Sequence, residues 1–163
     1  MRVGTLLIVV LLLPVRAFAA DCNAAAEPKV DWQRCYLDGR DLSGHDLTGA
    51  RLRETSFFRT NMDKAVLAEV DAYRARFVSA SLKGAQADKG VFVEADFTKA
   101  DLEGASLKAA DLSRTKLFRA NLRGADLTGA RMNAAELLNA DLSGARWVDG
   151  KHVCAEGSLG RCN

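Results

Sequence analysis

Proline, histidine and aromatic residues are scarce in this sequence. Its 163 residues include two prolines and two histidines, and aromatic side chains make up 7% of the total. The one long apolar run, residues 6–13, is far shorter than the roughly 20 residues that a membrane-spanning helix needs. Two histidines and four cysteines also leave few candidate ligands for a zinc site. Stable membrane insertion and a zinc site are therefore not expected.

An excess of charge of one sign is also absent. The chain carries 23 Lys and Arg against 21 Asp and Glu. Two of the cations, Arg2 and Arg16, lie in the first 19 residues, which contain no acidic residue, so the remainder holds 21 charges of each sign. A balanced chain has no general attraction for nucleic acid, a membrane surface or acidic substrates. Any electrostatic function must come from local patches.

The N-terminal residues 1–19 have the form of a signal peptide. Arg2 precedes the apolar run, Pro14 ends it, and residues 17–19 (AFA) match the small-x-small pattern of a cleavage site. We place the cut after Ala19 or one residue later, and a retained membrane anchor is the alternative. The chain is therefore expected to be exported. The periplasm is the favoured compartment, and full secretion is the alternative.

Residues 35–149 repeat with a period of five. Large apolar residues occupy 21 of the 23 centre positions, five residues apart, between Leu37 and Trp147. Two residues before each centre, 15 of the 20 residues from Ala50 to Ala145 are alanine. Asp or Asn often precedes the centre, and Gly often lies two residues after it.

A period of five excludes both a regular helix and a straight strand. On a helix with about 3.6 residues per turn the leucines would spread around every face, and on a strand alternate leucines would point to opposite sides. The chain must instead turn once per repeat. The alanine and centre positions then point into a core, and the residue between them points outward. The next two residues form a corner, where glycine tolerates unusual dihedral angles. The pattern predicts a solenoid with a packed interior.

The repeat resembles the pentapeptide-repeat family. Residues 100–104 (ADLEG) and 125–129 (ADLTG) have the family's A(D/N)LxG form. The resemblance covers residues 35–149, and it implies an all-β fold, a right-handed quadrilateral β-helix with four repeats per coil. The repeats would then form nearly six coils, in which residues 20 apart stack on one another. Phe57, Phe77 and Phe97 are expected to form one such stack.

Both ends of a solenoid need caps, because they would otherwise expose apolar side chains and unpaired backbone. We predict an N-terminal cap over residues 20–34, including Trp32, and a C-terminal cap over residues 150–163. Four cysteines allow three disulfide connectivities. A bridge from one end to the other would exceed the Cα separation of about 4.4–6.8 Å that a disulfide permits. The preferred pairs are therefore local: Cys22 with Cys35, and Cys154 with Cys162.

No arrangement of residues indicates an enzyme or a cofactor. His45 falls at an inward repeat position near the first coil and is interpreted as a cap residue. His152 with Cys154 and Cys162 is one ligand short of a zinc site, and an exported chain favours a disulfide there. The regularly spaced Asp residues are interpreted as surface positions of the repeat, not as acid–base pairs.

Some members of the pentapeptide-repeat family mimic DNA and bind type II topoisomerases. That role requires a strongly acidic surface, which a balanced chain does not have. Export would also separate the chain from a cytoplasmic topoisomerase. We therefore rank a topoisomerase-binding role, like an enzymatic one, below the other hypotheses, and we expect no nucleic-acid partner.

One outward ladder is predicted to be more apolar than the others. Taken every 20 residues, the position after the centre reads Phe58, Val78, Thr98, Phe118 and Leu138. The adjacent corner reads Arg59, Ser79, Lys99 and Arg119, and Arg76 and Lys116 lie on the other side of the stripe. An apolar stripe rimmed by positive charge is typical of a docking surface.

The predicted function is an exported, non-catalytic scaffold that binds an unknown protein partner or a second copy of itself through this stripe. The stripe residues could instead only support stacking of the coils on the outside. In that case the chain would be a structural envelope protein without a specific partner.

Overall fold

The computed structural model describes residues 20–163 and shows a chain that pairs with itself every 20 residues. Parallel β-bridges begin with Asp31 opposite Arg51 and recur at every fifth residue up to Asp126 opposite Arg146. Because 20 residues contain four repeats, each coil has four sides, as the resemblance implied. The paired positions are isolated bridges, not longer strands. The predicted signal peptide lies outside the described residues.

The four sides are numbered in chain order. Side one begins with residues 30–34, side two with 35–39, side three with 40–44 and side four with 45–49, and each side recurs every 20 residues. The backbone hydrogen bonds between coils follow one scheme throughout. The amide of Leu102 donates to the carbonyl of Asn121 at 2.7 Å, and the amide of Asn121 donates to the carbonyl of Ala100 at 2.9 Å. Successive coils therefore satisfy one another's backbone groups.

The centre and alanine positions fill the interior, as the repeat predicted. Almost all of them are buried from Ala50 to Leu127. The rings of Phe57 and Phe77 stack with centroids 5.1 Å apart, and those of Phe77 and Phe97 with centroids 4.7 Å apart. This confirms the predicted aromatic stack on side two. Phe92, on side one, meets Phe77 and Phe97 edge-on across the corner.

Gly90 occupies an alanine position because Phe92 leaves no space for a side chain. A Cβ atom at Gly90 would lie 2.5 Å from Cε2 of Phe92. Large and small residues therefore alternate where the aromatic rings crowd the core. The repeat alone did not explain why this position departs from alanine.

Three threonines at alanine positions are buried with their hydroxyl groups satisfied. The hydroxyls of Thr55, Thr60 and Thr115 each donate to a main-chain carbonyl within the core. The Thr60 bond to the Leu37 carbonyl measures 2.9 Å. A buried hydroxyl without such a partner would cost about 1–3 kcal/mol. The carbonyl bonds explain why threonine is accepted at these positions.

The second corner residue of every repeat up to residue 144 adopts a left-handed conformation. From Lys29 to Gly144, φ at this position is positive in each repeat, whether the residue is glycine or not. Sixteen of these residues are not glycine; Arg59, for example, has φ of 55°. The coil geometry thus imposes this backbone conformation even where the sequence does not favour it.

The solenoid begins before the sequence boundary at residue 35. Trp32 is buried at a centre position of side one, and Val30 fills the alanine position before it. These residues depart from the repeat consensus, so sequence periodicity placed Trp32 in the cap. Residues 20–29 precede the first bridge, and Cys22 is joined to Cys35 with a Cα separation of 5.4 Å.

His45 does not point inward, contrary to the expectation from its repeat position. Its side chain is exposed, and Nδ1 lies 3.1 Å from the carbonyl oxygen of Ser43. The alanine position before it, Arg40, is exposed as well. At this open end a polar side chain can reach solvent without entering the core.

The C-terminal tail folds back over the end of the solenoid. Val153 pairs antiparallel with Arg146, and Leu159 pairs antiparallel with Asp141. Cys154 is joined to Cys162 with a Cα separation of 4.9 Å, and both disulfides are thus local. Within residues 20–163, no helix has the length and apolar character needed to cross a membrane.

Candidate interaction surface

The side-two stripe (Phe58, Val78, Thr98, Phe118 and Leu138) lies at the first corner residue of successive coils. Its first four members are half-buried, and Leu138 is 67% exposed. The stripe is therefore less exposed than the sequence suggested. Neighbouring coils lie about 4.8 Å away and cover part of each side chain.

The two aromatic rings of the stripe are each covered by the arginine that follows in the chain. The guanidinium carbon of Arg59 lies 4.8 Å from the ring centroid of Phe58, and that of Arg119 lies 5.1 Å from the ring centroid of Phe118. Both arginines have positive φ, which folds the corner tightly and brings consecutive side chains together. The cations are held on the rings by cation–π attraction. Each pair forms a unit with an apolar body and a positive outer edge.

Every Lys and Arg on side two lacks a salt bridge within the described residues. The five cations are Arg59, Arg76, Lys99, Lys116 and Arg119. By contrast, on sides one, three and four, every Lys and Arg of residues 46–149 except Lys64 forms a salt bridge. The balanced overall charge thus conceals a positive patch.

Side one shows what neutralisation looks like in this fold. At its corner, Arg74 Nε lies 2.7 Å from Glu94 Oε2, and Arg114 Nη2 lies 3.1 Å from Glu94 Oε1. The Arg74 hydrogen bond lowers the pKa of Glu94, although partial desolvation opposes the shift. Opposite charges alternate along this corner, so little net charge is presented to a partner.

The one carboxylate in the middle of side two forms no salt bridge with the cations beside it. Asp96 stacks between Arg76 and Lys116 in the bridge ladder. Its Oδ1 accepts the amide of Thr98 at 2.9 Å, and it forms no salt bridge with either neighbour. Unpaired cations around half-buried aromatic rings can attract acidic groups and bury apolar surface together. Sequence analysis identified Arg76 and Lys116 beside the stripe, but only the structure shows that they are unpaired.

The described residues contain no cluster of three or more His, Cys, Asp and Glu that could hold a metal ion. Cys154 and Cys162 are joined to each other, and His152 Nε2 lies 3.3 Å from the carbonyl oxygen of Asn163. Near His152 the structure therefore shows a disulfide in place of thiolate ligands.

Comparison with known families gives one match. The Pentapeptide repeats family matches in eight copies, over residues 33–67, 50–85, 75–117 and 110–146. No curated protein matches the chain in sequence.

Similar solved structures include a trypsin-treated variant of QnrB1, a plasmid-mediated fluoroquinolone resistance protein. It is 20% identical with a TM-score of 0.49, and the match covers 75% of this chain and 66% of QnrB1. This chain thus spans slightly less than two thirds of that QnrB1 chain.

A second similar structure is a pentapeptide repeat protein from the Arabidopsis thaliana thylakoid lumen. It is 24% identical with a TM-score of 0.34, and the match covers 80% of this chain and 85% of the other. The cyanobacterial protein HetL of Nostoc sp. strain PCC 7120, involved in heterocyst differentiation regulation, is 22% identical with a TM-score of 0.17, over 76% of this chain and 92% of HetL.

Proposed function

Because the chain belongs to the pentapeptide-repeat family, whose fold is a right-handed quadrilateral β-helix, we propose that it is an exported, non-catalytic scaffold that binds a protein partner through side two. One observation carries this proposal. Within residues 20–163, none of the five cations of side two forms a salt bridge, and two of them, Arg59 and Arg119, cover phenylalanine rings of the stripe. Residues 1–19 support export, since they have the composition of a signal peptide.

The rigidity of the fold supports a scaffold role. The stripe and its cations are held by inter-coil hydrogen bonds, such as Phe97 to Lys116 at 2.8 Å and Arg119 to Leu138 at 3.1 Å. A surface held in this way loses little conformational entropy on binding. Aromatic and arginine side chains are also the residues that most often dominate binding energy at interfaces.

The proposal is tested by crosslinking capture from the exported fraction of cells. The wild-type chain is compared with Phe118→Asp, which places a negative charge under Arg119 and removes the ring. Val93→Asp is the matched control, because Val93 is half-buried at the equivalent corner position of side one. We expect a protein that is captured by the wild type and by Val93→Asp and lost with Phe118→Asp.

The other outcomes would contradict the proposal. If all three chains capture the same proteins, or none, side two is only exterior packing. The chain would then be better described as a structural envelope protein without a specific partner. Recovery of the chain only in the cytoplasm would overturn the exported location.

A further inference from the structure

The tail closes only half of the C-terminal end of the solenoid. It hydrogen-bonds along sides three and four, where Leu142 donates to the Ser158 carbonyl and Cys154 donates to the Ala145 carbonyl, both at 2.9 Å. Sides one and two of the last coil receive no such strand. In the preceding coil, the amide of Leu117 donates to the carbonyl of Glu136 in the last coil at 2.9 Å. The corresponding amide of Leu137 has no backbone acceptor in the described chain, so half of this end is an open β-edge.

Six backbone groups define that open edge. On side two they are the carbonyl of Ala135 and the amides of Leu137 and Asn139, and on side one the carbonyl of Ala130 and the amides of Met132 and Ala134. None of them takes part in a backbone hydrogen bond within residues 20–163. The side chains of Met132 and Leu137 are only half-buried there, although their equivalents in the coil below, Leu112 and Leu117, are buried.

The tail itself has a free outer edge. Around Val153, the hydrogen bonds to the solenoid are made by His152 and Cys154; around Leu159, they are made by Ser158 and Gly160. In an antiparallel pair, this arrangement turns the amide and carbonyl of the residue in between away from the partner strand. The backbone groups of Val153 and Leu159 therefore point outward, and they make no backbone hydrogen bond in the described chain.

Exposed apolar side chains also concentrate at this end. Five large apolar residues are prominently exposed in residues 20–163, and three of them are here: Leu138 at 67%, Val153 at 52% and Leu159 at 60%. Leu138 belongs to the open half, whereas Val153 and Leu159 belong to the tail. Both halves of the end thus offer apolar surface together with unpaired backbone.

We propose that a second copy of this chain completes the cap, through a two-fold axis along the diagonal that separates the covered half of the end from the open half. This rotation places the tail of each copy over sides one and two of the other. The layer between the two solenoids then consists of two tails, each paired with its own solenoid on one edge and with the second copy on the other.

The free backbone groups match across this arrangement. The amide and carbonyl of Leu159 meet the Ala135 carbonyl and the Leu137 amide of the second copy, and those of Val153 meet its Ala130 carbonyl and Met132 amide. This is the parallel scheme that already joins successive coils, in which Glu136 donates to the Thr115 carbonyl at 2.9 Å and accepts from Leu117. Leu159 takes the place that a residue one coil above Glu136 would have.

A second copy fits this end because each chain carries both complementary parts. The open half needs a partner strand that offers unpaired backbone groups and apolar side chains. The tail of the same sequence is such a strand. A closed two-fold contact uses both parts in each copy and leaves neither exposed. The contact lies at the end of the solenoid and shares only Leu138 with the side-two stripe, so Phe118 and the cations of side two lie outside it.

Sedimentation velocity of the purified, disulfide-bonded chain tests the proposal. Concentrations of about 1–100 μM cover the range in which a dimer with a micromolar Kd would dissociate. We expect the wild type to form a dimer, and Leu138→Asp and Leu159→Asp each to weaken it at least about tenfold. Val91→Asp is the matched control, because Val91 is an exposed apolar residue on side one, away from the end. This variant and Phe118→Asp should both remain dimeric.

A wild type that stays monomeric throughout this range would overturn the proposal. A dimer that survives both end variants, or one that dissociates with Phe118→Asp alone, would place the contact elsewhere. Amide hydrogen exchange of the wild type provides a readout that does not depend on the variants folding. Protection of the Met132 and Leu137 amides should rise with chain concentration, and constant exchange at those two amides would contradict the arrangement.

Discussion

At the scale of single residues, the corners are where this sequence departs most from an ideal repeat. Every corner up to residue 144 has a left-handed backbone at its second residue, and sixteen of these residues carry a side chain. For an L-residue this conformation costs roughly 1–2 kcal/mol, whereas glycine adopts it freely. Several of these side chains offset the cost with contacts, such as the stacking of Arg119 on Phe118. Ala109 has no such functional group.

Replacing Ala109 by glycine is therefore expected to stabilise the fold. Ala109 has φ of 55°, and its side chain is a single methyl group on an exposed corner. Relief of the left-handed strain should exceed the greater chain entropy of glycine, for a net gain of about 0.5–1 kcal/mol in the free energy of unfolding. Urea denaturation measures this gain. A destabilised Ala109→Gly chain would show that corner strain is negligible in this fold.

The Asp or Asn before each centre position supports the corner that follows. Oδ1 of Asp46 accepts the amide of Thr48 at 2.9 Å and its hydroxyl at 2.6 Å. Oδ1 of Asn61 accepts the amide of Asp63 in the same way, at 3.1 Å. The side-chain oxygen thus closes the turn. This bond is the physical reason for the D/N preference in the repeat.

The same bond predicts how stability depends on pH. The Thr48 hydroxyl, followed by its amide, lowers the pKa of Asp46 below the ordinary value of 3.8. The folded chain therefore favours the charged form. The resulting stability is present above the unfolded pKa and is lost as the pH falls through the folded pKa. We expect Asp46→Asn to keep the turn bond and to show a smaller loss of urea midpoint between about pH 6 and pH 3 than the wild type.

Asp46→Ala is the control for this experiment, because alanine removes the acceptor. It should lower the urea midpoint near neutral pH, where Asp46→Asn should change it little. Identical pH profiles for the wild type and Asp46→Asn would show that this turn does not contribute to acid sensitivity.

At the scale of a coil, volume is shared between neighbouring positions. Gly90 and Phe92 form such a pair, because the ring occupies the space that an alanine methyl would need. We expect Gly90→Ala to lower the free energy of unfolding by about 1–3 kcal/mol, through displacement of the ring. Thermal and urea denaturation would measure the loss. The double variant Gly90→Ala/Phe92→Leu should recover part of it, and a single variant as stable as the wild type would contradict this packing.

At the scale of the whole molecule, the period of five was sufficient to predict a solenoid and its inward positions. The Phe57–Phe77–Phe97 stack also required four repeats per coil. Handedness and the number of sides came from the family resemblance, since spacing alone does not fix how many corners close a coil. The start at Asp31 was missed because Trp32 and Val30 fill the right positions with residues outside the consensus. The inward assignment of His45 was wrong because an end coil lets a polar side chain escape to solvent.

The candidate surface was predictable only in part. Reading every twentieth residue identified the stripe and the cations beside it. Salt bridging depends on distances between side chains in adjacent coils, which the sequence does not provide. The contrast between Lys99, which is unpaired, and Lys83, whose Nζ lies 3.1 Å from Asp101 Oδ2, is therefore a structural result. The role of side two as a binding surface stays a prediction.

The two disulfides act on opposite ends of a chain whose coils contact mainly their neighbours. In such a solenoid, loss of a cap should loosen the nearest coil before the distant ones. The Cys154–Cys162 bridge closes a loop with a sequence separation of 8 residues, and Arg123 also holds the tail through a hydrogen bond to Glu156 Oε1 at 2.9 Å.

We expect Cys154→Ala/Cys162→Ala to lower the free energy of unfolding of this end by about 2–3 kcal/mol. Amide exchange should therefore accelerate first at Leu142, Gly144 and Trp147, which donate to the tail. Cys22→Ala/Cys35→Ala is the matched control and should leave those amides protected. Uniform acceleration of exchange along the chain in both variants would instead show that the solenoid unfolds as one cooperative unit.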